Sequence, residues 1–473
     1  MIPVILKIFT MKLLWIMTSY PSQAALLKKY DVPTPRYTSY PTVPYWDTQS
    51  FTTEKWSKAV RRTFNETNAE KGISIYIHLP FCESLCTYCA CSTRITKNHN
   101  IEIPYIQALL KEWDHYKYIL REKPIIRELH LGGGTPTFFS PKNLRWLITY
   151  LLEGVELHND FEMSFEGHPN NTTYEHLQTL YELGATRVSF GVQDLDEKVQ
   201  RTIHRIQPFE NLKQVTEQAR AIGYESVSFD LIYGLPFQTP FTVSDTIEKV
   251  LTLKPDRISF YSYAHVPWLR PGQRNYETAD LPSHALKRHL YEIGRHLLRK
   301  ADYADVGMDH FSLRQDSLFK AYISGKLHRN FMGYTTTNTE LLIGLGASAI
   351  SDARYAYAQN EKKVEEYLGA IQHNATATVK GHIHNEEDLL VKQCILQISC
   401  QGELSRELMM QITDADILNQ LTGMEKEGIL FLYEEGGLKV TTSGEPFIRN
   451  ICRVFDKRMN EQDSNREIFS KAI

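Results

Sequence analysis

The sequence predicts an α/β chain built mainly on a partial (β/α)6-type parallel barrel, with a smaller, mainly helical C-terminal domain of winged-helix-like outline. Three observations carry this expectation. From about residue 72, short β-rich runs alternate with amphipathic stretches, the cadence of βα units on a parallel sheet. The residues with the most chemistry fall just after those runs, where a barrel places its functional loops. The 473 residues exceed what one ordinary core holds, which asks for a second domain.

Taken in order, ISIYIHL (73–79) reads as a buried strand. Tyr105, Leu109, Trp113, Tyr116 and Leu120 then recur at helical spacing across 102–120. RELHLGGG (127–134) is a strand running into a turn, and Ser140 caps the helix that carries Leu144 and Ile148. EMSFEGHP (162–169), TRVSFGVQ (186–193), ESVSFDLIYGLP (225–236) and DRISFYSYA (256–264) follow as strands, each ahead of a helical pattern. Near 360–385 the polar HNATATVKGHIHNEED marks a boundary, with helical patterns after it at 386–398 and 404–411. GILFLYEEGGLKVTTSGEPFI reads as a hairpin turned at Gly436–Gly437, with a helix from about Pro446. The expected divisions are an extension over 1–24 (disordered or not part of the native chain), a leading segment over 25–71, the barrel over 72–360 and the helical domain over 361–473.

Composition is globular, with 42% hydrophobic and 23% charged residues. The formal net charge of −3, from 53 basic and 56 acidic side chains, gives no electrostatic footprint for nucleic acid. The apolar stretch over 1–17 is broken by Lys7 and Lys12 and falls short of the roughly 20 residues that span a bilayer. No convincing small-residue cleavage site follows it, so the expectation is a cytoplasmic protein without a membrane association.

Four of the seven cysteines lie between 82 and 91, which points to a metal or redox site in a reducing compartment and away from a disulfide framework. The run is Tyr76-Ile-His-Leu-Pro-Phe-Cys82-x3-Cys86-x-Tyr88-Cys89-x-Cys91. A structural zinc site would pair C-x2-C with a second Cys/His pair, and only His78 and His99 are near. A C-x3-C-x2-C triplet on one loop instead suits a [4Fe–4S] cluster, with one iron left open for a ligand. The expected metal ligands are Cys82, Cys86 and Cys89.

This spacing, in the loop after a barrel's first strand, resembles the signature of radical S-adenosylmethionine (SAM) enzymes. The resemblance narrows at PRYTSYP (35–41), Cys91, GGGTP (132–136), FGVQD (190–194), FDLIYGLP (229–236), GMDHF (307–311), GYTT (333–336) and IRNICRVFD (448–456). Together, over about 25–458, these are similar to the oxygen-independent coproporphyrinogen III oxidase family of haem biosynthesis. That resemblance implies oxidative decarboxylation of two propionates of coproporphyrinogen III to vinyl groups by a 5′-deoxyadenosyl radical, giving protoporphyrinogen IX. It implies a [4Fe–4S] cluster and two SAM molecules. Carried over by position, the first SAM contacts Tyr76, Gly133, Glu166 and Ile350, with Tyr76 and Glu166 as catalytic residues. The second contacts Tyr88, Gly134, Thr135, Gln193, Arg205, Asp230 and Ala264. The resemblance further implies a substrate-covering role for 25–71, a low-potential flavodoxin-like electron donor, an unassigned electron acceptor and a monomer. In it Cys91 is not a ligand.

The bland reading of several residues stays open: GGG as a turn, Asp230 as a cap, Arg36 as a surface arginine rather than a partner of a substrate carboxylate. Cys394, Cys400 and Cys452 read as buried small hydrophobes, and His310 has no assigned role. The chain departs from the family pattern at Ala90, at His168 in EGHP and at Glu445. Two alternatives remain at this point. One is a haem-handling relative on the same scaffold, a haem chaperone or a radical haem-degrading methyltransferase; Cys91 and PRYTSYP speak against it. The other is an iron–sulfur DNA-binding sensor, but residues 404–427 carry two basic and five acidic side chains.

Overall fold

A computed structural model describes residues 21–268, 270–374, 376–461 and 469. The expected extension over 1–24 lies outside these except for its last residues, where Gln23 opens a helix reaching Tyr30. Contacts gather the described chain into two compact units, 46–327 with 335–385, and 21–45 with 328–334 and 386–469.

The larger unit is organised by strands β1 (Ile73–Leu79), β2 (Ile125–Gly133), β3 (Glu156–Gly167), β4 (Ala185–Gln193), β5 (Ser226–Tyr233) and β6 (Arg257–Ser262). They lie side by side in chain order, each parallel to the next, which is the predicted six-strand βα run. Six further strands extend the sheet: β7 (Tyr303–Val306), β8 (His310–Leu313), β9 (Leu341–Leu345), β10 (Ile350–Ala353), β11 (Ala356–Asn360) and β12 (Thr378–Ile383). Strands β8 and β7 continue antiparallel beyond β6, while β9 adds a parallel neighbour to β1 and β10 to β12 continue antiparallel from it. Through β12, residues 361–385 pack with this unit.

Helices α1 (Thr53–Lys71), α2 (Glu102–Leu120), α3 (Pro141–Leu152), α4 (Tyr174–Glu182), α5 (Phe209–Ile222), α6 (Pro240–Thr252) and α7 (His284–Lys300) accompany the strands. Their starts are written locally. Ser140, Thr173, Thr239 and Ser283 each accept a backbone N–H in the first turn of α3, α4, α6 and α7, and Pro141 and Pro240 stand where a missing N–H costs nothing. The helical spacing on α2 buries Tyr105, Leu109, Trp113, Tyr116 and Leu120 as read.

Period-two alternation divides the sheet into two faces. Phe165, Phe190, Phe229 and Phe260, one on each of β3 to β6, are buried in the apolar core that the helices share. Their neighbours in sequence are polar and share the opposite face: Ser164 and Glu166, Ser189, Ser228 and Asp230, Ser259 and Tyr261. Registry carries that face across the sheet, pairing Tyr76 with His130, His130 with Ser164, Glu166 with Ser189 and Asp230 with Ser259.

In the smaller unit, Glu403–Leu404, Leu430–Leu432 and Leu438–Val440 form a three-stranded antiparallel sheet. The hairpin turns at Gly436 and Gly437, whose φ values of 98° and 99° favour glycine. Helices Glu386–Gln401, Ala415–Lys426 and Ile448–Val454 surround it. Cys394, Cys400 and Cys452 are buried there, as expected. PRYTSYP and IRNICRVFD meet in this unit, Arg449 reaching Pro35 from 414 residues away. Arg449 donates from Nε to the Pro35 carbonyl (3.1 Å) and from Nη2 to that of Thr34. Tyr37 donates to Asp456 (3.1 Å) and Asn450 to the Tyr30 carbonyl (2.9 Å). Replacing Arg449 by Ala leaves two carbonyls without their cationic donor, and should cost about 1–3 kcal/mol in urea unfolding. A shift within error would mean that these bonds contribute nothing net.

Candidate radical SAM site

The polar face ends in loops at the C-terminal ends of the parallel strands. From β1 the chain passes through Pro80 and Phe81 into the cysteine loop, and from β2 through GGGTP. These loops run together: Gly134 N–H donates to Leu79 O (2.9 Å) and Thr135 N–H to Phe81 O (3.0 Å). A Cβ on Gly134 would sit 2.7 Å from the Pro80 carbonyl oxygen, so only glycine allows this approach. Thr135 then places its hydroxyl 3.4 Å from Cys82 Sγ.

The cysteine loop is pinned at both ends. Cys89 N–H donates to Cys86 O (3.1 Å), and Thr96 N–H to Cys82 O (2.9 Å). Arg205 points Nη1 at Cys86 Sγ (3.7 Å) while Nη2 donates to Gly191 O (2.6 Å). Burial pushes the Cys82 thiol up to about 11, against the Thr135 hydroxyl. The Cys89 thiol is held below its ordinary value by hydrogen bonding from Cys91, which is raised in turn. Cys91 is a free thiol at the exposed end of the loop.

The residues assigned to the first SAM come together around β1. Glu166 Oε2 accepts from Gly133 N–H (3.3 Å). Tyr76 donates to or accepts from His78 Nδ1 (3.0 Å) and stacks on His130, with ring centroids 6.0 Å apart at 17°. Gly344 on β9 is the register partner of Tyr76, and a Cβ there would lie 2.5 Å from Ile350 O. Ile350 on β10 therefore lies across β9 from Tyr76.

The residues assigned to the second SAM also converge. Gln193, in the left-handed region at φ 66°, brings its amide over Gly191, where Arg205 also arrives. Gly191 is the register partner of Asp230, which accepts from Ser189 Oγ (3.2 Å). Gln273 donates to the carbonyls of Ala264 (3.2 Å) and Tyr88 (3.5 Å), joining those two. Burial, with Glu166 adding to it, raises the Asp230 carboxyl to about 6.

Two residues at this site, His130 and Gln273, were not singled out from the sequence, and His78 was named there only as a nearby candidate for a zinc pair. His130 bonds Ser164 Oγ through Nδ1 (2.7 Å) and faces Glu166 through Nε2 (3.6 Å). Period-two alternation ending at Gly132 could have flagged it. His78 reaches Ser92 O with Nε2 (2.8 Å), tying β1 to the end of the cysteine loop. Gln273 had no local signal, since its role comes from a loop folding back over residues 87–91. His168, the departure in EGHP, accepts from Asn170 N–H (3.1 Å); burial, with Arg205 near, pulls its imidazole down to about 3 and keeps it neutral. His310 stands beside Tyr261 (3.4 Å), and Arg36 lies in the smaller unit.

Residues 76–250 match the model of the radical SAM superfamily. The oxygen-independent coproporphyrinogen III oxidase of Pseudomonas aeruginosa is 36% identical over 459 residues, 95% of this chain and 98% of its own. Those of Helicobacter pylori and Escherichia coli are 37% and 35% identical over 455 and 456 residues, with 98% of each covered. The chain belongs to this family. The solved coproporphyrinogen III oxidase of Escherichia coli, described as a radical SAM enzyme, superposes with a TM-score of 0.85 at 34% identity, covering 93% of this chain and 99% of that one.

A [4Fe–4S] cluster and SAM are the cofactors of this family. Among the described residues no group of three or more His, Cys, Asp or Glu side chains is poised to hold a metal ion as the side chains stand. The cysteine loop fits a cluster by its donor chemistry: three free thiols on one loop, with the cationic Arg205 beside them to favour thiolates. Among the described residues, no helix is long and apolar enough to cross a membrane.

The raised Asp230 carboxyl makes a pH prediction. From its ordinary 3.8 to about 6, the folded chain holds this proton better than the unfolded one, so the stability it contributes is lost as pH rises through that window. Asp230→Asn should flatten this part of the pH dependence in urea unfolding of the cluster-free protein. An unchanged slope between pH 4 and 6 would place the titration elsewhere.

Proposed function

We propose that this chain carries out the oxygen-independent oxidative decarboxylation of coproporphyrinogen III to protoporphyrinogen IX. The supporting observation is 36% identity along 98% of a named oxidase, joined to a polar barrel face that ends at three thiols and a glycine-rich loop. When bound, the cluster supplies the electron that cleaves a C–S bond of SAM and frees a 5′-deoxyadenosyl radical. Such a radical would supply the hydrogen-atom abstraction from a propionate that conversion to a vinyl group needs, with CO2 as the leaving group and an acceptor for the remaining electron.

The chain's part is to bind, orient and exclude water. Cys82, Cys86 and Cys89 hold the cluster. Tyr76, Gly133, Glu166 and Ile350 bind the first SAM, with Tyr76 and Glu166 as the catalytic residues that touch the reacting cofactor. Glu166 offers a carboxylate to its ammonium or ribose hydroxyls, and Gly133 lets backbone come close. Tyr88, Gly134, Thr135, Gln193, Arg205, Asp230 and Ala264 bind a second SAM, where Arg205 can take a carboxylate through two N–H groups. The protein works as a cytoplasmic monomer, fed by a low-potential flavodoxin-like donor; the free thiols suit a reducing compartment.

An anaerobic assay with reconstituted protein, SAM, a low-potential reductant and coproporphyrinogen III should give a product lighter by two CO2 units, together with 5′-deoxyadenosine. Deoxyadenosine without porphyrinogen conversion would overturn the substrate assignment, and neither product from cluster-loaded protein would overturn the activity. Cys→Ser at 82, 86 or 89 should abolish cluster and SAM cleavage, whereas Cys91→Ser should keep nearly normal iron. Full activity in any of the first three, or lost iron in the last, would refute the ligand set.

A further inference from the structure

The connection from β9 to β10, residues 344–350, begins at the register partner of Tyr76 and ends on Ile350. Its shape is imposed by a carboxylate on α2 that no part of the proposed chemistry uses. Glu112 is 1% exposed and accepts three hydrogen bonds. Gly346 N–H (2.9 Å) and Tyr367 Oη (2.7 Å) donate to Oε2, and Asn360 Nδ2 (2.6 Å) donates to Oε1. Asn360 Nδ2 also donates to Gly346 O (3.0 Å), so both polar groups of that peptide unit's residue are held.

The connection is also pressed against the end of β1. Gly346 has φ 102°, and a Cβ there would lie 2.6 Å from His78 O. Tyr105, one helical turn and three residues before Glu112 on α2, bridges the two, donating to His78 O (2.8 Å) and accepting from Ala347 N–H (2.9 Å). Burial pushes the Glu112 carboxyl up to about 7, and its three donors pull the other way.

We propose that Glu112 is a positioning residue for SAM: it fixes the 344–350 connection, and through it the place of Ile350 across β9 from Tyr76. This rests on the reading of Ile350 as a contact of the first SAM. Glutamine cannot replace Glu112 here. Its NH2 would face either the Asn360 amide or the Gly346 N–H, which, unlike the Tyr367 hydroxyl, cannot turn to accept. Asn360 cannot answer by turning over, because its Nδ2 serves Gly346 O and its Oδ1 accepts from Thr378 (3.3 Å).

The test is SAM binding to cluster-loaded protein by equilibrium dialysis, with iron content and the KM for SAM read separately from kcat. Glu112→Gln should weaken SAM by about tenfold, the scale of one lost charge-assisted bond, with iron content and kcat at saturating SAM retained. Tyr367→Phe, which removes one donor and keeps the ring, should weaken it less and guards against a Glu112 variant that fails to fold. Glu166→Gln reports on the SAM site itself. SAM affinity lost in Glu166→Gln but unchanged in the folded Glu112 and Tyr367 variants overturns the positioning role and leaves the site reading intact. Affinity unchanged in all three overturns both.

Discussion

The parallel pairing of β1 with β2 on one side and β9 on the other is the constraint on which the site depends. It sets Tyr76 between His130 and Gly344, and a slip of β1 by one residue would turn Tyr76 away from the face that His130 occupies. Because β1 and β2 end together, the cysteine loop and GGGTP leave the sheet side by side. The backbone bonds from Gly134 and Thr135 then follow without further adjustment. On the other side the same pairing brings the 344–350 connection over the end of β1.

The apolar side of the sheet holds that register. Phe165, Phe190, Phe229 and Phe260 are 2% exposed or less, and each alternates with a polar residue facing the other way. A one-residue slip would bury Glu166 or Asp230 among the helices, at a cost no helix contact offsets. The polar face is in turn satisfied largely within itself, His130 with Ser164 and Ser189 with Asp230. The Asp230 carboxyl is raised where a ligand with positive charge is proposed to bind, which favours a bound cation over bulk solvent.

The loops above this frame are held by bonds between distant parts of the chain. Arg205 reaches Cys86 from 119 residues away, and Gln273 reaches Tyr88 from 185 away. Each such bond costs loop-closure entropy once, and the rigid sheet below spreads that cost over many contacts. The smaller unit follows the same rule, with Arg449, Asn450 and Asp456 holding residues 30–37.

Much was legible in the sequence because it is written locally. The β1 run, the helical spacing of α2, the Ser140 cap and the Gly436–Gly437 turn depend on neighbours within a few residues, and each stands where it was read. The three thiols were legible because four cysteines in ten residues need a common purpose. His130, Gln273 and Glu112 were not, since each acts on a partner brought near only by folding. The same holds for PRYTSYP and IRNICRVFD, two strings whose shared packing has no trace in either one. The sequence by itself determined the strands, the helices and the cysteine chemistry, because propensity, periodicity and ligand type are properties of short stretches. Tertiary structure alone decided which residues surround those thiols, because sheet register and loop closure join positions that are far apart along the chain.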